Sequence, residues 1–189
     1  MASAMRAARS QLEIAAHNLA NVSTDGFRRT RGATVVGRDG LTVLQRADRE
    51  QGAVRHTGRR FDLALLGEGA FRVGDRATRE GAFTRDRDGY LTDDRGRRLR
   101  GVRGDVRVPE GATVASDGTV RDGDRVVDRL PLPRGTRVLA GAVETSSVNA
   151  IGETLAILVA QRAFETAEKT LAAIDAARDK AANDVARVR

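Results

Sequence analysis

Cysteine is absent from all 189 residues, which excludes disulfides, thiolate metal sites and cysteine nucleophiles. Such a chain is indifferent to the redox state of its compartment. Tryptophan is also missing, there is a single tyrosine, and aromatics make up 3% of the residues. A core must therefore be aliphatic, and pockets with aromatic walls are not expected. No stretch approaches 18 consecutive apolar residues, so no membrane-inserted helix is expected. The first residues do not show a basic segment followed by an apolar block and a small-residue cleavage site. The chain reads as soluble, and any exit from the cytoplasm would use a route without a cleavable signal peptide.

Lysine is almost absent too: Lys169 and Lys180 are the only two. The formal net charge of +7 is thus carried by arginine. A basic protein gains by neutralising phosphates, so a basic coiled-coil protein binding nucleic acid stands as the alternative reading. Against it, the arginines are scattered among Asp and Glu, as on a solvated mixed surface. Phe61, Phe71, Phe83 and Tyr90 read as inward-facing strand residues, not as platforms for bases.

What is present is a clear order of patterns. Met1, Met5, Ala8, Leu12, Ala15, Leu19 and Val22 repeat in steps of four and three, an a/d stripe predicting a helix of about 20 residues. "STDG" at 23–26 supplies the polar side chains and the glycine that end a helix. From 30 to 146 short apolar or alternating runs are separated by turns. Asp-Gly dipeptides at 39, 88, 117 and 122 suit hairpin turns with positive φ, and all three prolines lie here. From Asn149 the helical pattern returns: Ile157, Ala160, Phe164, Ala167, Leu171, Ile174, Ala181, Val185 and Val188 keep a seven-residue register, with Arg178 at one seam position. Asn149 can cap this helix, and Glu153 puts negative charge in its first turn.

The expected fold class is therefore α+β: N- and C-terminal helices pairing as a coiled coil, with a central, mostly antiparallel β domain of hairpins. The expected division is 1–29 and 147–189 for the helical part and 30–146 for the β part. Both stripes are rich in alanine, and a two-helix coiled coil joined only through a distant β domain is marginal alone, so the terminal helices are expected to be poorly ordered in the monomer and to become ordered when copies pack side by side.

Candidate chemistry is thin. "GEG" at 67–69 lacks the third glycine and the following helix of a phosphate loop, so it reads as a tight turn. "TRDRDG" at 84–89 would put Thr84 and Arg95 at the first and twelfth positions of a calcium loop, where carboxylates are needed. His17 and His56 have no paired ligand spacing. No catalytic motif appears, so neither an enzyme nor a cofactor, metal or small-molecule substrate is expected.

Four ordered stretches resemble the axial proteins of the bacterial flagellar rod and hook. "HNLANVSTDGFRRT" is similar to N-N-L-A-N-x-x-T-x-G-F-K/R through Asn18, Leu19, Ala20, Asn21, Thr24, Gly26 and Phe27, with His17 in place of the first Asn. "QGAVRHTGRRFDLALLGEGAFRV" and "FTRDRDGYLTDDRGRRLRG" resemble two central blocks, Ala70 replacing a usual Phe. "GAVETSSVNAIGETLAILVAQRAFE" resembles the C-terminal block through Gln161, Arg162, Ala163, Phe164 and Glu165.

The resemblance implies a structural subunit of the basal-body rod, exported by the flagellar type III apparatus and polymerised with itself and other rod or hook subunits. In that architecture the terminal helices line a hollow shaft that transmits torque. It further implies that Asn18, Asn21, Gly26, Phe27, Gln161, Arg162, Phe164, Leu171 and Ile174 serve the assembly interface. The chain is shorter than the family pattern between Val126 and Leu139, so the outer β region is expected to be reduced, which leans toward the proximal over the distal rod type.

Overall fold

The computed structural model describes residues 2–38 and 40–187. Met1, Asp39 and Val188 of the expected patterns lie outside the described residues, as does the side chain of Val185.

Among the described residues, two helices bracket fourteen short strands. Helix α1 spans Ala2–Ala20 and α2 spans Ala150–Arg187. Asn149 caps α2 as expected, its Oδ1 accepting from the Gly152 N–H at 3.2 Å. The chain divides into two compact units.

The helical unit comprises Met1–Ala20, Arg29–Asp48 and Asn149–Arg189. Here α1 packs along α2 and also against an antiparallel hairpin of β1 (Thr30–Gly37) and β2 (Gly40–Ala47). Ala8 and Ala15 of the expected N-terminal stripe are buried, as are Ala160 and Ala167 of the C-terminal one. Alanine at these positions lets the elements approach closely. On the hairpin side, Gly32 does the same work: a Cβ there would lie 2.7 Å from Ile14 Cδ1 and 2.8 Å from Gln11 Oε1. Gln11 uses this proximity, its Nε2 donating to the Gly32 carbonyl at 3.2 Å. The fold is thus α+β, with the terminal helices in contact.

The placement of the first hairpin differs from the expected division at residue 30. Its strands are mostly exposed and its inner residues lean on α1, so it belongs with the helices, whereas Asn21–Arg28 belongs with the β unit. Turn chemistry correctly marked a hairpin, but strand pattern alone does not say which neighbour will cover a strand.

The β unit, Asn21–Arg28 and Arg49–Val148, holds only antiparallel pairings among its described strands. Strand β3 (Val54–His56) pairs with β14 (Ala142–Glu144), and β4 (Leu63–Leu66) with β13 (Arg137–Ala140). Strand β5 (Phe71–Val73) lies between β6 (Arg76–Thr78) and β9 (Leu99–Arg100). Strands β7 (Thr84–Arg85) and β8 (Leu91–Thr92) form a short ribbon. A last sheet has the order β10 (Thr113–Val114), β11 (Thr119–Asp122), β12 (Arg125–Arg129). The core is aliphatic, with Leu63, Leu65, Leu91, Leu99, Val106 and Val120 fully buried. Its buried aromatics, Phe71 and Phe83, form an edge-on pair at 5.3 Å between centroids, and the partly buried Phe61 packs against the same core. Tyr90 is half-buried, with the Arg98 guanidinium 3.9 Å over its ring.

Candidate assembly interface

The string at 18–29 and the block at 144–153 are joined through bonds inside each unit. In the helical unit, Asn18 is fully buried near the end of α1. Its Oδ1 accepts from the Thr30 N–H at 2.8 Å, and its Nδ2 donates to the Thr30 carbonyl at 2.8 Å. The carboxamide thus occupies the place of a neighbouring strand at the start of β1. The same Nδ2 lies 3.2 Å from Glu153 Oε2. Glu153, itself buried, accepts from Arg29 Nε on its other oxygen at 2.5 Å. A buried carboxylate needs such partners, because an unpaired charge in the interior is several kcal/mol unfavourable.

The β unit repeats the scheme with the neighbouring residue pair. Glu144, 1% exposed, receives Arg79 Nε at 2.6 Å and lies 3.6 Å from Arg28 Nη2. The remaining donors of Arg79 are spent on the carbonyls of Leu65, Gly67 and Gly69. The "GEG" segment is therefore a turn that offers carbonyls to an internal arginine, not amides to a phosphate. Gly26 completes the arrangement: its N–H donates to the Glu144 carbonyl at 2.7 Å, and its φ is +71°. A Cβ there would stand 2.3 Å from the main chain of Arg79 and Glu80, so only glycine fits.

Asn18 and Gly26 are therefore committed within the chain. Asn21 and Phe27 are half-buried; the Asn21 Oδ1 accepts from Thr24 Oγ1 at 3.2 Å, and the Phe27 carbonyl accepts from the Ser147 N–H at 3.0 Å. Phe164, Leu171 and Ile174 are half-buried along α2. Gln161 and Arg162 are exposed, and their side chains make no hydrogen bond or ion pair among the described residues.

Sequence reading missed a second apolar face on α2. Ile151 is 75% exposed, Leu155 58%, Leu158 45% and Val159 67%. Their spacing of four, three and one places them together on the helix, apart from the stripe of Ala160 and Ala167. The signal was available: the first turns of α2 are apolar on more than one side, which a search for a single heptad seam overlooks.

Elsewhere, Glu80, Asp93 and Asp94 bring carboxylates together. Burial raises the Glu80 pKa, and the neighbouring Asp94 and Asp93 raise it further. Asp93 is satisfied without an ion, by Arg97 Nε at 2.7 Å and by the N–H groups of Arg95 and Arg97. No described helix is long and apolar enough to cross a membrane.

Internal latches between the two ends of the chain and an uncovered helix face are features of a subunit built for assembly. Comparison with known proteins gives the same class. Residues 1–28 match the family model described as flagella basal body rod protein, and residues 139–184 match that of the flagellar basal body rod FlgEFG protein C-terminal. The chain is 30% identical to the flagellar basal-body rod protein FlgF of Escherichia coli, over 87% of this chain and 88% of that protein. It is 28% identical to FlgF of Caulobacter vibrioides over 86% of each, and 25% identical to the flagellar basal-body rod protein FlgG of Bacillus subtilis over 92% of each. The chain belongs to the flagellar basal-body rod protein family. It is a structural subunit of the basal body, assembling with other rod or hook subunits, and not an enzyme.

Proposed function

We propose that the subunit polymerises through the exposed apolar face of α2 into a hollow helical shaft that transmits torque. The observation that carries this is the cluster Ile151, Leu155, Leu158 and Val159, which lies in water in the single chain. Burying each such side chain is worth about 1.5–3 kcal/mol, so covering the face favours association by several kcal/mol. Gln161 and Arg162 stand beside it as polar contacts to a neighbour; Asn21 and Phe27, in the β unit, serve as assembly contacts in their own right. Phe164, Leu171 and Ile174 pack the terminal helices in the manner of a coiled coil. Asn18 and Gly26 serve assembly indirectly, each by fixing the shape of its own unit. A heterologous contact, in which one patch meets a different patch on the next subunit, generates an open helix instead of a closed ring.

In this reading the subunit leaves the cytoplasm through the flagellar type III apparatus, without a cleaved signal, and spans the periplasm as part of the rod. The short segment between Val126 and Leu139 supports the proximal rod type. The test is complementation of a strain lacking the gene with Leu155→Ser/Val159→Ser. Loss of swimming and of the subunit from isolated basal bodies, with an unchanged unfolding midpoint of the purified protein, is expected. Normal swimming with the variant present at ordinary amounts contradicts the proposal.

A further inference from the structure

Many arginines of the β unit face a carboxylate: Arg59 lies 2.9 Å from Asp62, and Arg97 lies 2.6 Å from Asp93. Four do not. Arg85, Arg103, Arg107 and Arg125 gather around a cleft of about 560 Å³, and among the described residues none of them forms an ion pair. Three are tethered by main-chain carbonyls instead. Arg85 Nε donates to Val108 O at 2.8 Å, Arg107 Nε to Asp88 O at 2.8 Å, and Arg103 Nη1 to Val127 O at 3.1 Å. A carbonyl positions a guanidinium without neutralising it and leaves most of its five N–H donors unused, and Arg107 also stands 5.8 Å over the Tyr90 ring. Four guanidinium groups around one concavity, three of them held in place by carbonyls, form an anion site.

The remaining lining narrows the ligand class. Asp88 and Asp122 share the cleft, so its field is mixed, and no aromatic side chain lines it. A nucleic acid strand presents a phosphate at every nucleotide and gains from stacking its bases, and neither feature suits this lining. Pro109 and the half-exposed Val126 add an apolar floor. Strand β12 is an outer strand of its sheet, which gives an extended segment a rim to lie along. We infer that this cleft binds an extended protein segment of a partner, with carboxylates spaced by apolar residues. Its carboxylates engage the free guanidinium forks while its apolar side chains rest on Val126 and Pro109. The site lies wholly in the β unit.

The test uses the full chain and a labelled octapeptide of alternating glutamate and leucine, with octathymidylate as competitor probe. The peptide binds, and binding weakens as salt is raised. Arg103→Gln/Arg125→Gln weakens it by roughly tenfold or more, whereas Arg72→Gln/Arg76→Gln, which removes the same charge from exposed positions of β5 and β6, changes it by less than about twofold. Arg125→Gln alone, at a residue without a carbonyl tether, shows a smaller loss and covers the case in which the double variant unfolds. Equal losses in the two double variants, tighter binding of octathymidylate than of the peptide, or no peptide binding would each overturn the inference.

Discussion

Asn18 Nδ2 donates to Glu153 Oε2 at 3.2 Å, linking the last turn of α1 to the first turn of α2 across 135 positions of sequence. Because the same carboxamide holds both main-chain groups of Thr30, one residue connects helix, strand and helix within the helical unit.

Asn18→Ala therefore leaves a buried N–H, a carbonyl and part of a carboxylate without partners, and should lower stability by about 1–3 kcal/mol. Asn18→Asp should be worse at neutral pH, since it sets a second carboxylate against Glu153. The penalty of the Asp variant should shrink as pH is lowered from about 7 to about 4, because burial and the neighbouring Glu153 both raise the pKa of the added carboxyl and favour its protonated form. Urea unfolding followed by far-ultraviolet circular dichroism at both pH values checks this; an Asp variant as stable as wild type at pH 7 contradicts it.

Gly26 and Gly123 both have positive φ, at +71° and +56°, but Gly123 has open space around it. Gly123→Ala should lower stability by about 1 kcal/mol, the ordinary effect of a side chain in the left-handed region. Gly26→Ala adds a collision with the backbone of Arg79 and Glu80 and should lower it by about 3 kcal/mol or more. Thermal melts of the two variants provide the comparison.

Asp93 is buried, which pushes its pKa up, but the Arg97 side chain and the N–H groups of Arg97 and Arg95 outweigh burial and hold it below the usual carboxylate value. As pH falls, the unfolded chain takes up this proton first, so the stabilisation is present at neutral pH and is lost as pH drops through and below that range. Asp93→Asn should be less stable than wild type by about 1–3 kcal/mol at pH 7, and the difference should shrink as pH falls below the usual carboxylate range. A constant difference across pH would show that ionisation is not what Asp93 contributes.

Leu171→Asp places a charge on the half-buried stripe of α2. Cells carrying it should not swim, while the near-ultraviolet tyrosine signal of the purified protein, which comes from Tyr90 in the β unit, the chain's single tyrosine, stays unchanged. Motile cells would contradict the role given to that stripe.

Much of this was legible beforehand. Helix α2 begins where Asn149 caps it, α1 ends before "STDG", and Asp-Gly at 88, 117 and 122 falls in turns, because caps and turns are local devices read over a few residues. The uses of Asn18, Arg28, Arg29 and Gly26 were not legible. Each depends on residues more than 100 positions away or, for Gly26, on the close passage of the main chain at 79–80. The uncovered face at 151–159 was hidden for another reason: an apolar residue on a helix looks the same in sequence whether its partner is in the chain or in the next subunit.

Because the chain has no native cysteine, a single one marks a single position. The most direct measurement is cross-linking of Val159→Cys in isolated basal bodies with a short heterobifunctional reagent. The account predicts a covalent adduct with a neighbouring rod or hook subunit, and far less from the β-unit variant Ala77→Cys. Functional basal bodies in which Val159→Cys yields no adduct and reacts as freely as in the dilute monomer would contradict it.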